Sequence, residues 1–257
     1  MIGECRWNAS NLHPMNKQVL PYSESSLGKK EQVAQMFNNI ASRYDLMNTL
    51  LSLGIYNIWK RKLVKELRHE KPQLILDVAT GTADIAIALL KLNPEKIIGG
   101  DISKEMIAFG EKKIEQLNLQ KKIELLLADA EQLPFEDNKF DAVTVAYGVR
   151  NFGNLDKGLN EMLRVLKPNG KVVILEFSKP RNKIINGFFN FYFNRICPLI
   201  GSWITGDKSA YTYLPQSVKV FPDGKQFENI LQSIGFVKTK CTTLSFGVAS
   251  IYTGYKS

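Results

Sequence analysis

Histidine and cysteine, on which metal centres and nucleophilic catalysis so often rely, are scarce here: two and three in 257 residues. Cys5, Cys197 and Cys241 are far apart and show no C-x-x-C spacing, so they offer no metal site and fit a reducing, cytoplasmic setting. His13 lies in a polar N-terminal stretch and His69 in the turn Arg68-His69-Glu70-Lys71, where a solvated side chain is expected. No run of 18 apolar residues occurs, so nothing reads as a membrane span, and the N-terminus carries no apolar segment of the signal-peptide kind. The 34 basic and 25 acidic residues give a net charge of +9. The basic residues are scattered (Lys60, Arg61 and Lys62; Lys112 and Lys113; Lys121 and Lys122) and no block is interleaved with aromatics. That argues against nucleic acid as a partner and leaves an anionic membrane surface open. A dinucleotide fingerprint of three glycines is missing, as is a Gly-Lys-Ser/Thr phosphate loop.

What is present is an ordinary globular composition, 44% hydrophobic and 23% charged, long enough to bury a real core. Ile75-Leu76-Asp77-Val78 reads as a strand that breaks at Thr80-Gly81-Thr82. Ala83 to Leu90 then resumes as a buried helix. A ligand at the end of such a strand reaches turn amides and a helix N-terminus. With Asp77, Asp84 and two threonines in place of a glycine-rich turn, the position suits a ligand with a cationic end and hydroxyl groups. S-adenosyl-L-methionine is such a ligand.

Taken in order, residues 1–28 predict a poorly ordered arm, with Met15 as a more natural start. Helical spacing begins at Lys29 (Val33, Met36, Phe37, Ile40, Ala41) and returns from Ile58 to Leu67. Tyr44 to Ser52, between them, reads as a capping turn with Asp45 or Asn48 as the cap. Beyond the first strand, Lys96 to Asp101 predicts a second. Asp101 stands 24 positions after Asp77, near the spacing at which a carboxylate receives ribose hydroxyls; a helix cap is the other reading. Ile123 to Ala128 ends in Asp129-Ala130, which suits an adenine amino group or a plain surface turn. Phe140 to Val145 leads into the loop Ala146-Tyr147-Gly148-Val149-Arg150-Asn151. A helix from Leu155 to Leu166 follows, then a strand from Lys171 to Phe177. Five alternations predict a parallel sheet covered on both faces, with Asp77, Asp101, Asp129 and the Ala146 to Asn151 loop along one edge. From Ile184 to Ile204 the chain is aromatic and apolar. It reads either as a helix packed on the sheet or as an apolar channel or membrane-resting lid flanked by Lys179, Arg181, Lys183 and Arg195. A last helix from Phe221 to Ile234 and an antiparallel pair, Phe236 to Thr242 and Ser245 to Gly254, complete the chain.

The motifs so placed resemble those of the ubiquinone/menaquinone biosynthesis C-methyltransferase family, within the class I S-adenosylmethionine-dependent methyltransferases. Tyr44-Asp45-Leu46-Met47-Asn48 with Ser52 and Trp59 resembles its first signature, with Tyr56 where the family has histidine. Arg164 to Gly170 through Glu176 and Ser178 resembles the second, with Asn169 in place of a usual glycine. The resemblance implies an α/β, Rossmann-like fold: a mostly parallel seven-stranded sheet with an antiparallel terminal strand, helices on both faces and an N-terminal helical extension. It implies one methyltransferase domain over residues 29–257, with N-terminal helices (29–70), a cofactor-binding core (71–178), an acceptor or lid region (179–234) and terminal strands (235–257). It further implies S-adenosylmethionine as cofactor, held by Asp77, Gly81, Thr82, Asp101, Asp129, Ala130 and Ala146, and no metal. The acceptor implied is a polyprenylated quinol. The turn Thr80-Gly81-Thr82-Ala83-Asp84 lies nearer the menaquinone branch and favours demethylmenaquinol; ubiquinone-pathway or dual quinone methylation, methylation of another lipid or phenol, and a non-catalytic cofactor-binding scaffold are the other readings. Because ring carbon is a weak nucleophile until a neighbouring phenol loses its proton, Arg150 is expected to stabilise the phenolate. Asn151 would orient it and Tyr44 close the site; a loop-closing salt bridge is the other reading of Arg150. A peripheral position at the inner membrane face is expected, and the oligomeric state, a homo-oligomer included, is left open.

Overall fold

The computed structural model describes residues 19–257 except 53, 198 and 200–207. Cys5, His13 and Met15, and Pro198, Trp203 and Ile204 of the apolar segment, lie outside the described residues. Seven strands form one sheet in the order β3-β2-β1-β4-β5-β7-β6. They are β1 Leu74–Val78, β2 Lys96–Asp101, β3 Ile123–Leu127, β4 Phe140–Ala146, β5 Leu166–Phe177, β6 Val237–Leu244 and β7 Ala249–Tyr255. The first five are parallel, and β7 is antiparallel to both of its neighbours. The strand order reverses between β1 and β4, where crossovers leave on opposite faces and a crevice opens at the carboxyl ends.

Period-two alternation decides which side chain enters which layer. On β5, Val172 and Ile174 join a core with α6 (Leu155–Val165) and α9 (Lys225–Ile234), while Val173 and Leu175 join one on the opposite face. That second core takes in Trp59 and Leu63 of α3 (Ile55–Glu66), Ile85 and Leu89 of α4 (Asp84–Leu89) and Ile114 of α5 (Lys104–Gln116). Ser103 caps α5, its side chain accepting from Met106 N.

A third cluster sets the roof of the crevice. Val33, Met36 and Ile40 of α1 (Lys29–Ile40) pack with Met47 of α2 (Tyr44–Leu51), Met106 of α5 and Tyr213 of α8 (Lys208–Val220). Three expectations change here. Tyr44 to Ser52 is not a capping turn: nearly all of it is the helix α2, whose inward face is short and whose Asp45 bonds across to Thr82 in the turn after β1 and to Lys113 of α5. The expected loose arm is packed from Val19 onward, because Val19 and Tyr22 lie against this cluster and Tyr22 N donates to Gln32 Oε1 at 2.9 Å. Helix α8 was not foreseen, since Pro215 within it and its polar residues break the apolar period. Helix α7 (Lys183–Phe191), capped by Asn182, continues as a wide π turn over Tyr192–Ile196.

Candidate functional site

At the carboxyl ends of β1 to β4 the chain opens a cavity lined by Gly81, Asp101, Asp129, Ala130, Ala146 and Asn151. Its backbone is strained where it meets the cavity. Ala79 (φ +52°), Gly81 (φ +57°) and Tyr147 (φ +59°) all occupy the left-handed region, which costs a non-glycine residue about 1–3 kcal/mol. A Cβ on Gly148 would come within 2.6 Å of Ala79 Cβ, so only glycine lets these two loops approach.

Asp101, nearly buried, accepts from Gly81 N and Ser103 N, each at 2.8 Å. Burial raises its pKa and the backbone donors oppose the rise. One lone pair on each oxygen stays available, which suits two ribose hydroxyls. Asp129 Oδ1 accepts from Glu131 N at 2.9 Å, and its Oδ2 takes Lys30 Nζ of α1 at 2.6 Å. Next to it, Lys29 Nζ donates to the Arg150 and Phe152 carbonyls at 3.1 and 2.8 Å, and burial lowers its pKa to about 8. Helix α1 is therefore clamped over the cavity by its first two residues. Asn151 Nδ2 donates to Tyr147 O at 3.1 Å, and its buried Oδ1 has no partner among the described residues. An acceptor left free on a cavity wall, beside two carboxylates, fits a ligand rich in amino and hydroxyl donors such as S-adenosylmethionine.

Two of the expected cofactor residues, and one further acid of the turn, sit elsewhere. Asp77 is buried beneath the turn, accepting from Thr80 Oγ1 (2.7 Å) and Thr144 Oγ1 (2.6 Å); burial lifts its pKa to about 6. It holds the turn and does not line the cavity. Asp84 is paired with Lys60 at 2.6 Å. Thr82, almost fully buried, donates to Asp45 Oδ1 at 2.5 Å, and Lys113 Nζ bridges both. Sequence separation hides this arrangement, because Asp45 is 37 residues from its partner.

A second cavity of about 350 Å³ adjoins the first, and Phe37, Tyr44 and Tyr147 line both. The rest of its wall is largely apolar, with Met36, Ile40, Tyr56 and Trp59 on one side and Phe188, Phe189 and Phe193 on another. Arg150 also lines it. Its NH1 donates to Glu176 Oε1 (2.8 Å) and to Tyr147 O (2.5 Å), while its Nε is buried without a partner among the described residues. Arg150 is 8% exposed at the side chain and Glu176 0%. Burial pushes the Glu176 carboxyl up, and Arg150 pulls it back. Arg150 thus closes its loop through NH1, as the salt-bridge reading expects, and its side chain also lines the cavity with one buried nitrogen left unpaired among the described residues. Tyr44 stands between the cavities, half-buried and paired with the Asn48 side chain, with desolvation raising its phenol pKa.

Residues 25–256 match the ubiE/COQ5 methyltransferase family. The chain belongs to that family. It is 46% identical over 246 residues to the demethylmenaquinone methyltransferase of Bacteroides fragilis, covering 95% of this chain and 99% of that one. It is 43% identical to the ubiquinone/menaquinone biosynthesis C-methyltransferase of Geobacter sulfurreducens, covering 89% and 90%. Among solved structures it is similar in fold to a putative S-adenosylmethionine-dependent methyltransferase of Methanococcus maripaludis (TM-score 0.58, 20% identity, 92% and 97% covered). It is also similar to the [4+2]-cyclase SpnF (TM-score 0.63, 16% identity, 90% and 97% covered). One fold therefore carries different chemistries, and the site must decide between them.

Both signature stretches of this ubiE/COQ5 chain hold the site together. Asp45 ties α2 to the turn after β1 through Thr82 and Lys113. Trp59 Nε1 donates to Ser245 Oγ at 2.9 Å, joining α3 to the turn before β7. Arg164 holds Glu161 and Asp137 and donates to the Leu133 and Phe135 carbonyls, fixing the segment after Asp129. Asn169 adopts φ +62°, a conformation that asparagine tolerates best after glycine. Tyr56, in the place of a histidine, contributes a buried aromatic wall. Thr82→Val is accordingly expected to cost about 1 kcal/mol of stability and to leave S-adenosylmethionine affinity within about twofold. Calorimetric titration and thermal unfolding read the two effects, and a large loss of affinity would return Thr82 to the cofactor.

Proposed function

We propose that the chain transfers the methyl group of S-adenosylmethionine to a ring carbon of a reduced polyprenylated quinol, with demethylmenaquinol as the favoured acceptor. The observation that carries this reading is the junction of the two cavities, one carrying the Asp101 and Asp129 carboxylates, the other roomier and almost wholly apolar. The names of the related proteins from Bacteroides and Geobacter point to the same chemistry. Bound S-adenosylmethionine supplies the electrophilic methyl. Asp101 and Asp129 hold its ribose and adenine, with Gly81, Ala130 and Ala146 forming the surface against which it lies. Asp129, paired with Lys30 on Oδ2, would be the acceptor for the adenine amino group.

On the acceptor side, Arg150 Nε is the donor free to meet the oxygen next to the reacting carbon. Its Glu176 partner fixes the guanidinium so that little reorganisation is needed as negative charge develops. Asn151 braces the same loop through Tyr147 O, and Tyr44 fills the junction and keeps water out. Much of the rate then follows from holding carbon and methyl near attack distance. The test is transfer of label from S-adenosylmethionine to reduced demethylmenaquinone and, in parallel, to a demethylated ubiquinol, both in detergent. Label on the first alone supports the menaquinone reading and on both a shared enzyme. Label on neither, with the cofactor bound, refutes quinol methylation.

A prenyl tail must enter from a lipid phase, and α7 suits that entry. Ile184, Phe188 and Phe191 share an exposed stripe, and Phe188, 73% exposed, also edges the cavity that Phe189 lines. Among the described residues no helix is long and apolar enough to cross a membrane. We infer that α7 rests on an anionic bilayer, with Arg181, Lys183 and Arg195 toward the headgroups. Lys179 is already committed, paired with Asp223 at 3.1 Å and donating to the Phe221 carbonyl, so it is not part of that patch. Each basic group near such a surface contributes about 1 kcal/mol. Lys183→Glu with Arg195→Glu should therefore lower partition onto phosphatidylserine-containing vesicles about tenfold or more. Unchanged sedimentation with vesicles would rule the surface out.

A further inference from the structure

Three buried polar atoms without a hydrogen-bond partner among the described residues belong to residues that line the acceptor cavity: Tyr147 Oη, Tyr213 Oη and Arg150 Nε. Native interiors leave few such atoms unpaired. Three of them on residues that line one cavity point to a ligand whose polar atoms would satisfy them.

They come from two walls. Tyr147 and Arg150 are three residues apart on the loop after β4, and the Arg150 NH1 to Tyr147 O bond makes them one unit. Tyr147 packs in the sheet-side core with Tyr56 and Trp59. Tyr213 belongs to α8, and its ring, 2% exposed, packs in the other cluster with Val33, Met36 and Ile40. Burial pushes the Tyr213 phenol up to about 12 and that of Tyr147 well above its ordinary value. Both hydroxyls therefore keep their protons at neutral pH and act as donors.

On the quinol reading given above, we propose that Tyr213 donates its hydroxyl hydrogen to the second ring oxygen of the acceptor, the one across the ring from the oxygen served by Arg150. Tyr213 is then an acceptor-orienting residue that makes the cavity select aromatic 1,4-diols over simple phenols. Fixing both oxygens leaves the ring only the rotation about the axis through them.

The test is equilibrium binding to the full chain saturated with S-adenosylhomocysteine, under reducing conditions. The probes are a prenylated 1,4-dihydroxynaphthalene and the matching 1-hydroxy compound that lacks the second oxygen. The wild-type chain is expected to prefer the diol about five- to tenfold, as one hydrogen bond would give. In Tyr213→Phe the preference falls to within about twofold, while affinity for the mono-hydroxy compound is unchanged. Because the substitution keeps the ring and removes an unpartnered hydroxyl, the melting temperature should not fall. A preference retained in Tyr213→Phe, or absent from the wild type, overturns the proposal. So does a drop in melting temperature of about 3 °C or more, which would reveal a protein partner for the hydroxyl. Turnover is read separately. A wild-type chain that prefers the diol yet transfers no methyl would refute quinol methylation and leave the role of Tyr213 standing. Normal transfer with the preference intact in Tyr213→Phe would do the reverse.

Discussion

Arg150→Lys is expected to lower methyl transfer about 10²–10³-fold, the loss typical of removing one donor from a developing oxyanion, with S-adenosylmethionine affinity within about twofold. Lysine keeps the charge that faces Glu176, so the chain should still fold. It cannot hold Glu176 and the acceptor oxygen at once, because an ammonium is a point charge and not a planar fork. Arg150→Ala is the weaker experiment. It strands the Glu176 carboxylate, which is 0% exposed, and removing one partner of a buried pair costs about 3–5 kcal/mol. An inactive alanine variant would then report unfolding as readily as chemistry. Glu176→Gln supplies the complement: it unpairs the guanidinium from the other side and should lower stability by a comparable amount in thermal unfolding. Single-turnover rates with Arg150→Lys near the wild-type value would leave Arg150 only the role of closing its loop.

Asp101→Asn is expected to weaken S-adenosylhomocysteine binding about 10²–10³-fold, read by calorimetry. Two ribose hydroxyls donating to a carboxylate make two charge-assisted bonds, each contributing about 1.5–3 kcal/mol. The protein itself also loses. Both carboxylate oxygens already take backbone N–H groups, from Gly81 and Ser103, and an amide must turn its own NH₂ toward one of them. That mismatch should lower stability by about 1–3 kcal/mol, which thermal unfolding of the cofactor-free chain would show. The carboxyl has to be ionised to accept both hydroxyls, and burial raises its pKa. Cofactor affinity should therefore decline with acidity at a higher pH than for an ordinary aspartate. A change in affinity below about threefold in Asp101→Asn would put the ribose elsewhere.

The sequence by itself determined the layers. The apolar runs of β1, β4 and β5 mark strands covered on both faces, turn chemistry states where each strand stops, and crossover handedness then brings the strand ends to one edge. Asp101, Asp129, Ala146 and Arg150 could be picked out for that reason: each ends a strand or lies in the loop that follows one, and strand ends are the positions that topology alone gathers. The two signatures pointed to the family because both are compact stretches whose residue types survive as a pattern.

What only the tertiary structure decided is the partner of each polar side chain. Asp77, Asp84 and Thr82 share a turn with Gly81, yet Asp77 points beneath it to Thr144, Asp84 outward to Lys60, and Thr82 across to Asp45 and Lys113. Nothing local distinguishes these directions, since each partner comes from a distant element. Helix α8 was hidden by Pro215, and with it Tyr213, whose importance lies in a hydroxyl that no protein atom meets among the described residues. A periodic pattern records burial, because burial repeats with the backbone. It carries no record of a cavity, which is the space left where several elements fail to meet.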